Sequence, residues 1–178
     1  MAVHGDTNDH GKDLARLLLR VALGGTMVAH GVKHGRSLEG TARWFRSIGF
    51  RSPEFQARAS AVVETAAGAA LVAGAATPLA AAAVVGTMGV AGHAVHRSNG
   101  FFVNAEGYEY VLNVAVATTA LAALGPGRWS VDRALKTDRW LTGLPAAAVA
   151  GGLGAVAAMG QLAAFWDRPA ADDTDEPR

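Results

Sequence analysis

Histidine and glutamate residues recur in this chain in pairs that helical spacing would place on one face. The pairs are His30 with His34, His93 with His96, and Glu106 with Glu109. Side chains three or four residues apart project together from a helix. Imidazole and carboxylate groups exchange protons and bind metal ions. The chain has no cysteine, which excludes thiol redox chemistry, disulfides and iron–sulfur clusters. Together with Glu64, the pairs predict proton exchange or binding of a polar group, with a metal ion or haem as the alternative.

The histidine and glutamate side chains lie in or beside long stretches of uncharged residues. Of the 178 residues, 51% are hydrophobic and only 17% are charged, against about 25% in an average soluble domain. A membrane-spanning helix needs about 20 predominantly apolar residues. The stretches that meet this description best are residues 14–35, 57–76, 78–97, 106–124 and 140–166. We therefore predict an all-α integral membrane protein: a four-helix bundle with an additional C-terminal transmembrane helix, about five spans in all.

The segments outside the predicted spans complete the organisation. We expect a disordered N-terminus (1–12), a four-helix bundle (13–136), the extra transmembrane helix (137–166) and an acidic disordered tail (167–178). Residues 36–56 mix arginine with apolar side chains at helical spacing. This pattern is typical of a short helix at the membrane surface, acting either as a connector or as a lid. The net charge of +1 argues against a nucleic-acid partner.

The histidine and glutamate residues of the predicted spans fall in one half of the predicted bilayer when the chain is followed back and forth across it. Arg16 and Arg20 fall in the other half, where we expect Arg20 to pair or to contact backbone inside the bundle. Ionisable residues are costly inside a membrane and usually functional. We therefore predict a polar pocket in one leaflet. The candidates for its chemistry are His30, Glu64, His93 and Glu109, and the candidates for binding substrate are Tyr108, Lys33, Asn113 and Arg20. No metal ligand is assigned, because the Glu-x-x-His spacing of di-iron bundles is missing from the predicted spans. Gly24, Gly31, Gly68, Gly86 and Gly89 are expected where helices approach closely.

Several short motifs follow one another across these spans. They are Leu17-Leu18-Leu19-Arg20 before Gly24, His30-Gly31-Val32-Lys33, Glu64 with Gly68 and Gly74, His93, Gly107-Tyr108-Glu109, and Gly125-Pro126-Gly127 before Ser130 and Asp132. In this order the chain resembles the DoxX family of small bacterial membrane proteins over about residues 12–136. The resemblance implies a four-helix core in the bacterial plasma membrane, a link to membrane redox complexes, and a quinone as the cofactor to expect before haem or a metal ion.

Three functions follow from these observations. The first is a subunit of, or accessory to, a membrane redox system that is linked to quinone. The second is a non-catalytic membrane anchor for a soluble oxidoreductase, and the third is a carrier for a small solute or protons. The expected partners are the lipid bilayer, a partner redox enzyme and a second copy of the chain. Because the chain has no thiol, electrons would have to come from a partner or a bound cofactor.

Overall fold

The computed structural model describes residues 4–139 and 141–169 and is all-helical over them, with one isolated bridge between Phe50 and Trp166. The helices are α1 His4–Arg36, α2 Leu38–Ser47, α3 Pro53–Ala73, α4 Thr77–Ala91, α5 Glu109–Leu124, α6 Val131–Ala134 and α7 Gly143–Phe165. Helices α1, α3, α4, α5 and α7 coincide with the five apolar stretches, and α2 is the short helix predicted after the first of them.

Local signals explain most of the helix boundaries. Pro53 opens α3 at a position where a missing N–H costs nothing. Gly74 ends α3 in the left-handed conformation, with φ of 65°, which favours glycine. Pro78 lies in the first turn of α4. These signals produce the tight connection between α3 and α4 that the sequence predicts.

The starts of two helices differ from the prediction, and some predicted segments lie outside the described residues. Helix α1 already begins at His4, well before the first apolar stretch and inside the segment that was expected to be disordered. Helix α5 begins at Glu109 rather than at 106, because a 3-10 turn, Val103–Ala105, precedes it. Trp140, residues 1–3 and most of the acidic tail (170–178) lie outside the described residues.

Helix α4 does not end as an α-helix. It continues through a π-helical turn, Gly92–His96, and a 3-10 turn, Arg97–Asn99. A π-turn inserts an extra residue per turn and is common at functional sites. It changes the direction of every side chain in the segment that carries His93 and His96.

Small residues hold the helices close together. A Cβ on Gly24 of α1 would lie 2.5 Å from the carbonyl oxygen of Gly68 on α3, and a Cβ on Gly154 of α7 would lie 2.7 Å from Val85 of α4. Contacts this short mean that the helices touch through backbone, as in membrane helix pairs. At each of the five predicted packing glycines, an added Cβ would lie within 3.3 Å of an atom of a neighbouring helix.

In the part of the chain that the structure describes, two helices are long and apolar enough to cross a membrane, Thr77–Asn99 and Gly143–Phe165, and Glu109–Leu124 is a shorter apolar helix. Helix α7 buries only Ala146, Ala150, Gly154 and Ala158. Its other face is apolar and exposed; Leu144 is 82% exposed. Exposed apolar surface of this extent is typical of contact with lipid or protein.

The ends of the helices define two sites. At one end, which we call the cavity end, α1 finishes, α2 lies across it, and the indole N–H of Trp166 at the end of α7 donates to the Ile48 carbonyl at 2.8 Å. At the other end, the loop end, Arg16 of α1 donates to the Leu124 carbonyl at 3.1 Å. The ionisable side chains form separate networks at these two ends.

Candidate functional site

The cavity end contains a cavity of about 590 Å³, which we call the large chamber. Helices α1, α2, α3, α4 with its π-turn, and α5 contribute to its wall. Its ionisable lining residues are His30, Lys33, His34, Glu64, His96 and Tyr110. Ligand sites in proteins commonly measure about 300–1,000 Å³ and combine apolar walls with a few polar groups. The large chamber meets both conditions.

A hydrogen-bonded chain of three side chains lies in the chamber wall. Glu64 is only 4% exposed, and its Oε1 accepts a hydrogen bond from the Ser60 hydroxyl. His34 Nδ1 lies 2.8 Å from Ser60 Oγ and 3.3 Å from Glu64 Oε1. Ser60 and Glu64 are one turn apart on α3, so the helix itself aligns them. The chain gives the buried carboxylate the partners that it needs.

This arrangement differs from a nucleophilic triad. In a triad the histidine uses one ring nitrogen for the serine and the other for the carboxylate. Here the same nitrogen, Nδ1 of His34, faces both Ser60 and Glu64. His34 Nδ1 thus reaches Glu64 both directly and through the Ser60 hydroxyl, so the geometry suits transfer of a proton between His34 and Glu64 rather than attack by Ser60.

A second cavity of about 130 Å³, the small chamber, adjoins the large one. Both are lined by His34, Trp44 and Glu64. The remaining wall of the small chamber is mainly apolar and includes Phe45, Ile48, Phe50, Val63 and Val90. Glu64 therefore lies at the boundary between a polar chamber and an apolar one.

Helix α2 forms part of the wall of both chambers at the cavity end. Thr41 and Trp44 line the large chamber, and Trp44 and Phe45 line the small one. Phe45 is buried, whereas Trp44 is 42% exposed. Residues 36–56 were expected to act either as a connector or as a lid. The position of α2 in the walls of both chambers favours the lid.

The structure brings together some of the predicted site residues. His30 and Lys33 line the large chamber with Glu64, and the rings of His30 and His34 lie 6.5 Å apart at their centroids. His30 is exposed and His34 half-buried. The two imidazole rings thus lie side by side in the chamber wall that also contains the Glu64 carboxylate.

Other predicted site residues lie elsewhere at the same end. The ring of His93 packs edge-on against Trp166 at 5.1 Å and lines a different groove. Glu109 Oε2 accepts a hydrogen bond from the Val103 backbone at 3.0 Å. Tyr108 packs against Phe101, and Asn113 is exposed on α5. None of the four lines either chamber, so the expected convergence of His93 and Glu109 with Glu64 is not what the structure shows.

The π-turn gives the physical reason for the position of His93. In a regular helix His93 and His96 would share a face, as predicted from their spacing. In the wider turn they separate: His96 lines the large chamber, and its Nδ1 lies 2.6 Å from the Glu106 carbonyl oxygen, while His93 faces Trp166. His30 and His93, which as a pair would be the candidate axial ligands of a haem, line different cavities.

Arg20 lies at the loop end and not in the polar pocket. It is 2% exposed and donates to the carbonyls of Leu71 and Val72 at the end of α3, and to those of Pro126 and Trp129. Ten residues of helix, about 15 Å, separate it from His30. Arg20 thus caps the C-terminal end of α3 and hydrogen-bonds to the loop after α5. It does not lie in the pocket where a contact with substrate was predicted.

Asp132 forms the second half of the loop-end network. Its carboxylate accepts hydrogen bonds from the backbone N–H groups of Ala76 and Thr77 and from the Thr77 and Thr137 hydroxyls, at 2.8 to 3.0 Å. Burial raises the pKa of Asp132, but the hydrogen bonds from Thr77, Ala76 and Thr137 outweigh burial and hold the pKa below its usual value. Asp132 therefore caps the start of α4.

Sequence reasoning missed Ser60 and Tyr110 and ranked His34 and His96 as residues at the helix ends. Ser60 precedes Glu64 by four residues, the spacing at which a hydroxyl can reach a carboxylate on a helix, so this signal was available. Among the residues whose side chains the structure describes, no group of three or more His, Asp or Glu is placed to hold a metal ion.

Comparison with known proteins supports the family resemblance. The model of the DoxX family matches residues 15–97, from the start of the apolar part of α1 to the beginning of the 3-10 turn after α4. The matched part contains every residue of the His34–Ser60–Glu64 chain. No curated protein and no solved structure matches the chain. The DoxX domain over residues 15–97 supports membership of the DoxX family, whose members are membrane proteins.

Proposed function

We propose that this DoxX-family protein binds a quinone in the two chambers of the cavity end, as a subunit of or accessory to a membrane redox system. The observation that carries the proposal is the chain of His34, Ser60 and Glu64 at the boundary between a polar and an apolar chamber. A quinone has polar carbonyl edges on an apolar ring, and the two chambers together offer both kinds of surface.

The proposal includes the position of the protein in the membrane. Helices α1, α3, α4, α5 and α7 are taken to be five spans of the bacterial plasma membrane, with α2 at the surface of one leaflet. The exposed apolar face of α7 and the length of Thr77–Asn99 support this arrangement. Five spans place the two termini on opposite sides, so reporter fusions at both ends test it. Termini on the same side would contradict it.

The residues of the chamber would supply protons. Reduction of a quinone to a quinol consumes two electrons and two protons. Glu64 is placed to give a proton to a quinone oxygen and to recover it through Ser60 from His34, whose ring lies beside His30. His30 is exposed and would exchange protons with water. Histidine suits this step because its pKa is near neutral.

The electrons would come from a partner redox protein, because the chain has no cysteine. The described residues of α2 and of the loop after it offer a docking surface of basic character at the cavity end, where Arg43, Arg46 and Arg51 are exposed. Arg46 is already paired with Glu54 at 2.7 Å, and Arg51 with Asp167 at 3.3 Å. Arg43 is therefore the residue that we would change first to weaken partner binding.

Purification from native membranes tests the quinone directly. We expect organic extracts of the purified protein to contain quinone in near-stoichiometric amount, and Ser60→Ala to lower that amount. Thr65→Ala is a matched control, since Thr65 is on the same helix but lines neither chamber. Protein that contains no quinone and binds none when it is added would refute the proposal. Recovery of a partner enzyme without quinone would favour the anchor function instead.

A further inference from the structure

The small chamber has aromatic walls on one side. The rings of Trp44 and Phe45 lie 5.1 Å apart and those of Phe45 and Phe50 lie 5.2 Å apart, both in edge-to-face geometry. Ile48, Val63 and Val90 complete most of the remaining wall. Such a surface favours a flat apolar ring, because aromatic side chains interact well with the edge or face of another ring.

Two polar residues of the small chamber donate hydrogen bonds to other groups of the protein. The Thr87 hydroxyl donates to the Ala83 carbonyl at 3.0 Å, and Gln161 Nε2 donates to Gln56 Oε1 at 2.9 Å. The ionisable groups are confined to the edge shared with the large chamber, where Glu64 and His34 lie. The small chamber is therefore mainly apolar, with its ionisable groups at one edge.

The size of the small chamber limits what can enter it. Its volume is about 130 Å³, and an apolar cavity of about 150 Å³ is known to hold one benzene molecule. One unsubstituted six-membered ring therefore matches the volume of the small chamber. A ring bearing bulky substituents at its corners would have to remain in the large chamber.

We infer that the small chamber binds the fused benzo ring of a naphthoquinone, with the quinone carbonyls at the shared edge near Glu64. This inference rests on the proposed function and adds the class of quinone. A benzoquinone has no second ring to fill the small chamber, so the apolar walls would distinguish the two classes. The small chamber would bind a naphthoquinone more tightly than a benzoquinone, because burial of the apolar second ring removes it from water.

Quinones that lack an isoprenoid tail measure the preference for a naphthoquinone over a benzoquinone without a contribution from the tail. Menadione represents the naphthoquinones and duroquinone, with four methyl groups, the benzoquinones. Both are titrated into the purified full-length protein in lipid nanodiscs while tryptophan fluorescence is recorded, since Trp44 lines both chambers. We expect menadione to bind at least about tenfold more tightly, which corresponds to about 1.4 kcal/mol.

Two neighbouring valines provide a matched pair of variants. Val63 lines the small chamber and is 43% exposed, so a larger side chain can be tolerated there, whereas Val62 is 66% exposed and lines neither chamber. Val63→Phe should fill the small chamber and abolish the preference for menadione, leaving duroquinone binding unchanged. Val62→Phe, the same change one residue earlier, should retain the preference. If Val63→Phe fails to fold by circular dichroism, Phe50→Leu removes one aromatic wall and should weaken menadione binding selectively.

The outcomes separate this inference from the function on which it rests. Equal affinity for the two probes, or a preference that survives Val63→Phe and Phe50→Leu in folded protein, would overturn the assignment of the small chamber and leave quinone binding intact. Failure of both probes to bind wild-type protein would overturn quinone binding itself.

Discussion

Removal of the Asp132 carboxylate should destabilise the whole fold, although Asp132 lies far from the chambers. The carboxylate is 6% exposed and caps α4 through the backbone N–H groups of Ala76 and Thr77. Loss of a helix cap costs about 1 kcal/mol. The buried Thr77 hydroxyl would also lose its acceptor, and an unsatisfied buried donor costs about 1–3 kcal/mol. We therefore expect Asp132→Ala to lower stability by about 3 kcal/mol.

Thermal unfolding followed by circular dichroism measures this effect. For a chain of this length, a loss of 1 kcal/mol lowers Tm by about 2–4 °C, so Asp132→Ala should lower it by about 6–12 °C. The control is Asp167→Ala, because Asp167 pairs with Arg51 at 3.3 Å, both side chains are mostly exposed, and such pairs contribute only about 0–1 kcal/mol. A Tm for Asp132→Ala that equals the Tm of the control would refute the assignment of Asp132 as the cap of α4.

The pH dependence of the same measurement gives an independent check. The pKa of Asp132 is lowered in the folded state, whereas an unfolded aspartate titrates at about 3.9. Its contribution to stability is therefore complete above about pH 4 and is lost as the pH falls through the folded value. The difference in Tm between wild type and Asp132→Asn should be constant near neutral pH and should shrink on acidification below about pH 4. A difference that grows on acidification would contradict this sign.

The remaining predictions concern the helix contacts and the chambers. Arg20→Gln should destabilise the protein by at least about 2 kcal/mol, because buried carbonyls lose their donor, yet leave the quinone Kd of folded protein unchanged. Gly24→Ala should cost about 1–3 kcal/mol by pushing α1 from α3, whereas Gly25→Ala, with no atom within 4 Å of the added Cβ, should not. His34→Ala should raise the quinone Kd severalfold and His93→Ala should not; the reverse order would contradict the assigned chambers.

The fold was predictable from the sequence to a large extent because apolar stretches and turn signals act locally. The Gly74–Pro78 connection and the amphipathic pattern of residues 38–47 both led to the elements that the structure contains. The start of α1 was not predictable in the same way. Polar residues such as Asp6 and Asp9 are typical of a disordered end, but a long helix can extend beyond its apolar part.

The site was predictable only in part, because its assembly depends on details that spacing does not reveal. Glu64, His30 and Lys33 could be placed near one another by following the spans. The position of His93 could not, since the π-turn at Gly92–His96 rotates it away from His96. The depth of Arg20 in the first span predicts a partner or backbone contacts inside the bundle as well as a substrate role, but only the coordinates reveal the four carbonyls that it contacts.

The affinity of the purified protein for menadione, compared between wild type and Glu64→Leu, tests most directly whether the chambers beside Glu64 bind quinone. Leucine has a similar size but cannot form a hydrogen bond to a quinone oxygen, and a hydrogen bond involving a charged group is worth about 1.5–3 kcal/mol. We expect saturable binding to wild type and a Kd at least about tenfold higher for Glu64→Leu. Equal affinities in the two folded proteins would contradict a quinone site at Glu64.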